Sequence, residues 1–152
     1  MFDVTKSITS IQALLAANLK RIAELQPDGA FGQIIKQATI DIHRKASANT
    51  HIGRYVQSKS GRYRSARPGE AGIGGGALRA SHRISVEGLQ GTVFIDDSTT
   101  NPLTGQRPSV YGIYEEGRGG EHSFYKRTVL QDGAEIARRA GEGLASIVVR
   151  VE

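Results

Sequence analysis

Apolar residues recur every three or four positions in three stretches of the chain, which predicts three amphipathic helices. The first helix covers about 5–25 and the second about 30–48, and the segment Gln26-Pro27-Asp28-Gly29 separates them. The third covers about 128–149, although it could start only at Gly133, and residues 147–151 could instead form a strand. We expect the stripe of the first helix to pack on the domain's own sheet. A coiled-coil partner face is the alternative.

Three short runs between the helices alternate in period two, as half-buried strands do. Two runs, around 84–86 and 93–95, flank a glycine-containing turn at 87–91 and predict a hairpin. The third run, 109–116, predicts another strand that carries exposed tyrosines. The predicted fold is α+β, with two N-terminal helices and one C-terminal helix packed on a three- to four-stranded antiparallel sheet with long loops. The predicted core contains Leu14, Leu19, Ile34, Ile84, Val93, Ile136 and Leu144.

The segment 49–76 has no sustained period and combines glycines with basic and aromatic residues. From His43 to Arg67 the chain contains seven Lys or Arg residues and no Asp or Glu. A long loop in a small domain is usually functional or disordered. We expect this loop to be mobile in the free chain and to become ordered at a partner interface, where Arg and Tyr are enriched. The candidate interface residues are Arg54, Tyr55, Arg62, Tyr63, Arg64 and Arg67.

Composition sets outer bounds on the class of protein. The chain has 152 residues, enough for one domain, with 38% hydrophobic residues, 19 glycines and a formal charge of +5. It has no cysteine, so no disulfide or thiolate metal site can form. No run approaches the roughly 18 apolar residues of a membrane helix. The start lacks the pattern of a signal peptide, so we expect a soluble, cytoplasmic setting.

Candidate chemistry is sparse. The four histidines, His43, His51, His82 and His122, show no metal-binding spacing, and we interpret them as surface or interface residues. Asp96 and Asp97 are adjacent and would point to opposite sides of an extended chain, as would Glu115 and Glu116. The glycine pattern of 72–77 does not follow a buried strand, which a dinucleotide site requires. We therefore expect no catalytic residue, no bound metal, no cofactor and no enzymatic activity.

A set of motif residues nevertheless resembles a known family. The chain carries a Gly-x-Leu-Arg-x-Ser segment, a hairpin, a Tyr-x-x-Tyr-Glu-x-Gly segment and a phenylalanine before the last helix. In this order the segments resemble the neck, or tail-completion, proteins of long-tailed bacteriophages. Gly112 departs from the usual alanine, Arg118 follows the last motif glycine, and Ser123 departs from the usual proline. The matching residues are Gly76, Leu78, Arg79, Ser81, Tyr111, Tyr114, Glu115, Gly117 and Phe124.

The resemblance implies a structural virion protein that works without bond chemistry. It implies a homo-oligomeric ring, a hexamer or dodecamer, in the neck of the virion, assembled in the cytoplasm of the host. Its partners would be the head connector or adaptor protein and the tail terminator or tail tube protein, with DNA passing through the channel and no membrane contact. The alternative is a small nucleic-acid-binding protein that uses the Arg and Tyr residues of 54–67.

Overall fold

A computed structural model describes residues 4–149 of the chain, without the side chains of residues 4–12, 14, 148 and 149. The helices are α1 (Val4–Glu24), α2 (Ala30–Asn49), α3 (Ala77–Ala80), α4 (Pro108–Arg118) and α5 (Phe124–Val149). The strands are β1 (Arg54–Gln57), β2 (Tyr63–Ser65), β3 (Ile73–Gly74), β4 (His82–Glu87) and β5 (Gln90–Ile95). A 3-10 turn, Gly120–His122, precedes α5. The α+β class is confirmed.

The centre of the fold is α2, which packs against α5 on one side and against the β4–β5 hairpin on the other. The two helices run antiparallel, because Lys45 near the end of α2 pairs with Asp132 near the start of α5 at 2.8 Å. At the other end of the pair, a Cβ on Gly143 would lie 3.0 Å from Cδ1 of Ile34. Gly143 thus lets α5 approach α2 closely.

The sheet organisation differs from the predicted meander. The strands form two separate antiparallel sheets: β4 pairs with β5, and a three-stranded sheet has the order β2-β1-β3. The hairpin is confirmed, with Gly88 at φ 59° in the two-residue turn that Glu87 and Gln90 close. The second sheet lies within 54–74, which we predicted to be a mobile loop. Its strands are only two to four residues long, too short for periodicity to reveal.

The predicted third strand is wrong, because residues 108–118 form α4. Alternation of aromatic and branched residues fits both periods over so short a run. Pro108 occupies the first turn of the helix, where its missing N–H costs nothing. Val110, Ile113 and Tyr114 are exposed at 61, 75 and 69%, at the helical spacing of three and four. Gly112 is buried on the opposite side.

The predicted core is only partly correct. Ile136 is buried, and Ile34, Val93 and Leu144 are half-buried, but Leu19 and Ile84 are exposed. Leu14 lies outside the described side chains. Helix α1 does not pack on the sheet as expected: from Ala13 to Ala23 every described side chain is exposed. Among the described side chains, the buried apolar ones are few: Ala46, Leu78, Pro108, Phe124 and Ile136.

Helix bounds follow the sequence closely where local signals exist. The predicted bounds of α1 and α2 hold to within one residue, since a proline turn separates the two helices. Helix α5 starts four residues earlier than predicted and stays helical to Val149, so neither the short helix nor a strand at 147–149 is present. Residues 150 and 151 of that alternative strand lie outside the described residues.

Candidate interaction surfaces

Motif residues from two distant segments of the sequence meet in the core. Leu78 and Phe124 are 5% and 1% exposed, and both lie beside Gly112. A Cβ on Gly112 would lie 2.6 Å from Cδ1 of Ile95 and 3.0 Å from Cδ1 of Leu78. An alanine at this position, usual in the resembling family, would force the ends of the Ile95 and Leu78 side chains to shift. The motif residues Leu78 and Phe124 therefore form part of the core.

The Gly-x-Leu-Arg-x-Ser segment joins α3 to the end of α2. Gly76 adopts φ 110°, a left-handed conformation that favours glycine, at the start of α3. Nη2 of Arg79 donates to the carbonyl oxygens of Ala48 and Thr50, at 3.1 and 2.9 Å. A cation at the C-terminus of a helix satisfies its last carbonyls and opposes its dipole. Ser81 is buried and donates to the carbonyl of Leu78 at 2.7 Å.

Carboxylates from elsewhere in the chain cap both C-terminal helices. Asp97 accepts a hydrogen bond from the N–H of Ser109 at 2.8 Å and another from its hydroxyl, at the start of α4. These two bonds hold the pKa of Asp97 below its usual value. Glu116, in the last turns of α4, accepts from the N–H groups of Phe124, Tyr125 and Lys126 at 2.8, 3.1 and 2.8 Å. Arg107 makes no side-chain cap hydrogen bond to α4, and the hydroxyl of Ser123 before α5 donates to Glu116, so the two carboxylates accept from the helix N–H groups instead.

His82 is buried, so its interpretation as a surface residue is wrong. Since the hydroxyl of Thr50 donates to Ala46, it accepts from Nε2 of His82 at 2.8 Å. Nδ1 of His82 is then the acceptor, 3.2 Å from the hydroxyl of Tyr125. Burial, and secondarily the charge of His43, lower the pKa of His82 to about 4. The imidazole is neutral and has both nitrogens satisfied, as a structural group does.

A second histidine cluster lies next to the motif glutamate. Nδ1 of His122 is 2.6 Å from Oε2 of Glu115, and Nη1 of Arg118 donates to the same carboxylate at 3.1 Å. The exposed ring of His51 lies 5.0 Å from that of His122, centroid to centroid. Glu115 is therefore held between the imidazole of His122 and the guanidinium of Arg118 on α4.

The six candidate interface residues lie on or beside the three-stranded sheet, in different environments. Tyr55 is half-buried, with its ring against Gly75. Arg64 donates to both carboxylate oxygens of Glu70, at 2.7 and 2.8 Å, which lowers the pKa of Glu70 to about 2. Arg64 is therefore occupied within its own chain. In the part of the chain that the structure describes, the side chains of Arg54, Arg62 and Arg67 make no hydrogen bond or ion pair.

Apolar side chains are exposed on two of the C-terminal helices. Tyr111 faces inward, and burial raises the pKa of its phenol to about 12. The opposite face of α4 carries the exposed Val110, Ile113 and Tyr114, and α5 exposes Val129 and Leu130 at 67 and 76%. Large contiguous apolar surfaces mark interaction sites in soluble proteins.

The whole chain exposes more surface than a compact monomer. Its accessible surface is 10596 Å² for a mass of 16.3 kDa, whereas a compact monomer of this mass exposes about 7,500 Å². The chain therefore exposes roughly 3,000 Å² more than a compact monomer of its mass.

Within residues 4–149 no group of three or more His, Asp or Glu side chains is placed to hold a metal ion. No helix in that range is long and apolar enough to cross a membrane. A comparison with protein-family models, curated proteins and solved structures found no match.

Proposed function

We propose that this chain is a subunit of the neck of a long-tailed bacteriophage, where copies form a ring between the head connector and the tail around the DNA channel. The observation that carries the proposal is the surface that one copy leaves uncovered. Exposed apolar side chains on α1, α4 and α5 and the surface excess fit a protein whose stable form is an assembly.

The arrangement of the motif residues supports the resemblance on which the proposal also rests. Leu78, Gly112 and Phe124 meet in one core. Next to it, Arg79 hydrogen-bonds to the end of α2 and Ser81 hydrogen-bonds to Leu78. These roles are structural: they position α4 and its exposed face. His82 is occupied in core hydrogen bonds, Asp97 and Glu116 in capping, and Glu115 in contacts with His122 and Arg118, which fits mechanical work.

Binding of nucleic acid is the second candidate function. The unpaired side chains of Arg54, Arg62 and Arg67 favour it. On a ring they would serve a partner protein or the passing DNA, and as a free protein they would bind nucleic acid directly. Direct binding gives an affinity that falls steeply with salt, since phosphate contacts release counterions.

The test of the neck proposal is made in a phage that encodes this chain. A nonsense codon in its gene is expected to give DNA-filled heads and separate tails, which the purified chain joins when it is added back. Electron microscopy of the lysate counts the two products. Complete particles without the chain, or absence of filled heads, would show that it acts elsewhere.

A further inference from the structure

Among the residues that the structure describes, nothing covers the second half of the apolar stripe of α1. Leu15, Leu19 and Ile22 are 58, 58 and 55% exposed, and Leu25, just after the helix, is 55% exposed. Their spacing of three and four places them on one face. Most of the stability of a helix in a protein comes from packing of its apolar face. The stripe therefore needs an apolar surface on which to pack.

The same chain carries such a surface between α2 and α5. An open groove of about 390 Å³ runs between these helices, with Ile34, Ala38, Ile136 and Ala140 among its lining residues and Asp41 and Arg139 beside them. Half of the lining is apolar, two branched side chains and two alanines, and the other half is polar or charged: Gln37, Asp41, Arg44 and Arg139. Small side chains let another helix approach closely, and the branched ones give it apolar contacts.

We propose that α1 of one copy lies in the α2–α5 groove of the next copy, so that copies join head to tail. The stripe and the groove are different surfaces of one chain, and a contact between different surfaces is heterologous, the kind that closes rings. The proposed contact would join neighbouring copies in the ring proposed above. Only the closure of the ring rests on the proposed neck function.

Two observations favour a second copy over the chain's own α1. The turn between α1 and α2 is tightly packed: a Cβ on Gly29 would lie 2.3 Å from the carbonyl oxygen of Ala23, and one on Gly32 would lie 1.7 Å from that of Pro27. This packing fixes the direction in which α1 leaves α2, and along that direction its described side chains are exposed. The chain also exposes roughly 3,000 Å² more than a compact monomer, which leaves room for two interface faces of standard size, about 800 Å² each per copy.

The absence of cysteine makes cross-linking the direct test. Leu19→Cys places a thiol on the stripe and Ala38→Cys places one in the groove. A chain carrying Leu19→Cys, mixed with a differently tagged chain carrying Ala38→Cys, is expected to give a mixed dimer with a short bismaleimide. The double variant is expected to give a ladder of multimers. Thr99→Cys, on an exposed loop, replaces Ala38→Cys as the control and is expected to give at least tenfold less mixed dimer.

Assembly measured by light scattering gives a second readout. Leu19→Asp and Ala38→Trp are each expected to raise the dissociation constant between copies at least tenfold. If Leu19→Cys alone gives dimers, α1 pairs with α1 of the next copy and not with the groove. If the double variant cross-links only within one chain, the groove is occupied by the chain's own α1. No cross-link between copies would mean another occupant. Each of these results overturns the proposal.

The outcomes for the contact and for the function are separable. Rings that form without the α1–groove cross-link leave the neck proposal standing and remove this contact. If the copies cross-link into rings but the phage joins heads to tails without the chain, the neck proposal is wrong and the contact between copies still holds.

Discussion

Oε2 of Glu116 accepts a hydrogen bond from the backbone N–H of Phe124 at 2.8 Å, which ties the end of α4 to the start of α5. The carboxylate also accepts from the next two N–H groups and lies at the positive end of a 26-residue helix. Phe124 is in turn the largest fully buried side chain of the fold. The orientation of α4 and the packing of the core thus depend on one acidic residue.

Glu116→Ala is expected to lower the free energy of unfolding by about 1–2 kcal/mol, because it leaves N–H groups at the helix start without an acceptor. Urea unfolding followed by circular dichroism measures the change. Glu121→Ala, one turn away and exposed, is the matched control and is expected to change it by less than about 0.5 kcal/mol. Equal effects of the two substitutions would contradict the capping role.

Gly112→Ala is expected to destabilise the fold by about 1–3 kcal/mol through overpacking against Ile95 and Leu78. Gly117→Ala is the control in the same helix, because its Cβ would meet nothing within 4 Å and alanine favours helix. Thermal unfolding of the two variants should therefore move in opposite directions. A stable Gly112→Ala chain would show that the core around α4 adjusts to alanine, as in the resembling family.

The pH dependence of stability is expected to include a contribution from His82. Its pKa is lowered from 6.5 to about 4 in the folded chain, so the unfolded chain binds the proton more tightly. The contribution is fully present above pH 6.5 and is lost as the pH falls towards 4, by about 3 kcal/mol at most.

The measurement is the difference between the stability profiles of the original chain and of His82→Gln, from pH 7 to 4, which cancels the carboxylates common to both. The groups facing His82 are His43 and Tyr125, so His43→Gln is measured as well. His51→Gln, at an exposed site, is the control. A difference profile that stays flat from pH 7 to 4 would mean that His82 titrates normally.

The sequence determined the parts of the fold that depend on local signals. The proline turn and the apolar periodicity place α1 and α2, and Gly88 marks the hairpin. Helix α4 could not be recognised, because its cap is Asp97, which is 12 residues before Ser109, and its buried face depends on Gly112 fitting against two other elements. Helix formation there is decided by tertiary contacts.

The same reason explains the errors at the candidate sites. Arg64 looked available because its partner, Glu70, follows the acid-free stretch by three residues, and a pair six positions apart requires the turn after β2. His82 looked exposed because it begins a strand, yet Thr50 and Tyr125 enclose it from 32 and 43 positions away. A signal was present at Glu116, an acidic residue shortly before a helix that lacks its own cap, but its reach over eight residues was not predictable.

The arginines of the three-stranded sheet and its turns are of two kinds. Arg54, Arg62 and Arg67 have exposed side chains with no hydrogen bond or ion pair in the described part of the chain, whereas Arg64 is neutralised by Glu70. Replacing the three unpaired arginines by serine removes three positive charges and no side-chain hydrogen bond. The free energy of unfolding is therefore expected to change by less than about 0.5 kcal/mol per site.

The function of the triple variant is expected to change far more than its stability. In the phage test it should leave heads and tails separate, because fork-shaped guanidinium groups pair with acidic groups or phosphates of a partner. The control is Arg64→Ser with Glu70→Ser, which removes one charge of each sign, breaks an exposed ion pair of the kind that contributes little to stability, and should leave joining intact.

Binding of a duplex DNA to the purified chain at two salt concentrations then identifies the partner of these arginines. If DNA is the partner, the triple variant binds more weakly and the slope of log affinity against log salt falls by up to about 3, near one for each phosphate that is no longer neutralised. If the partner is an acidic protein surface, free DNA binds weakly to both chains and only the joining of heads to tails fails. Normal joining and unchanged DNA binding in the triple variant would mean that these arginines are a solvated surface.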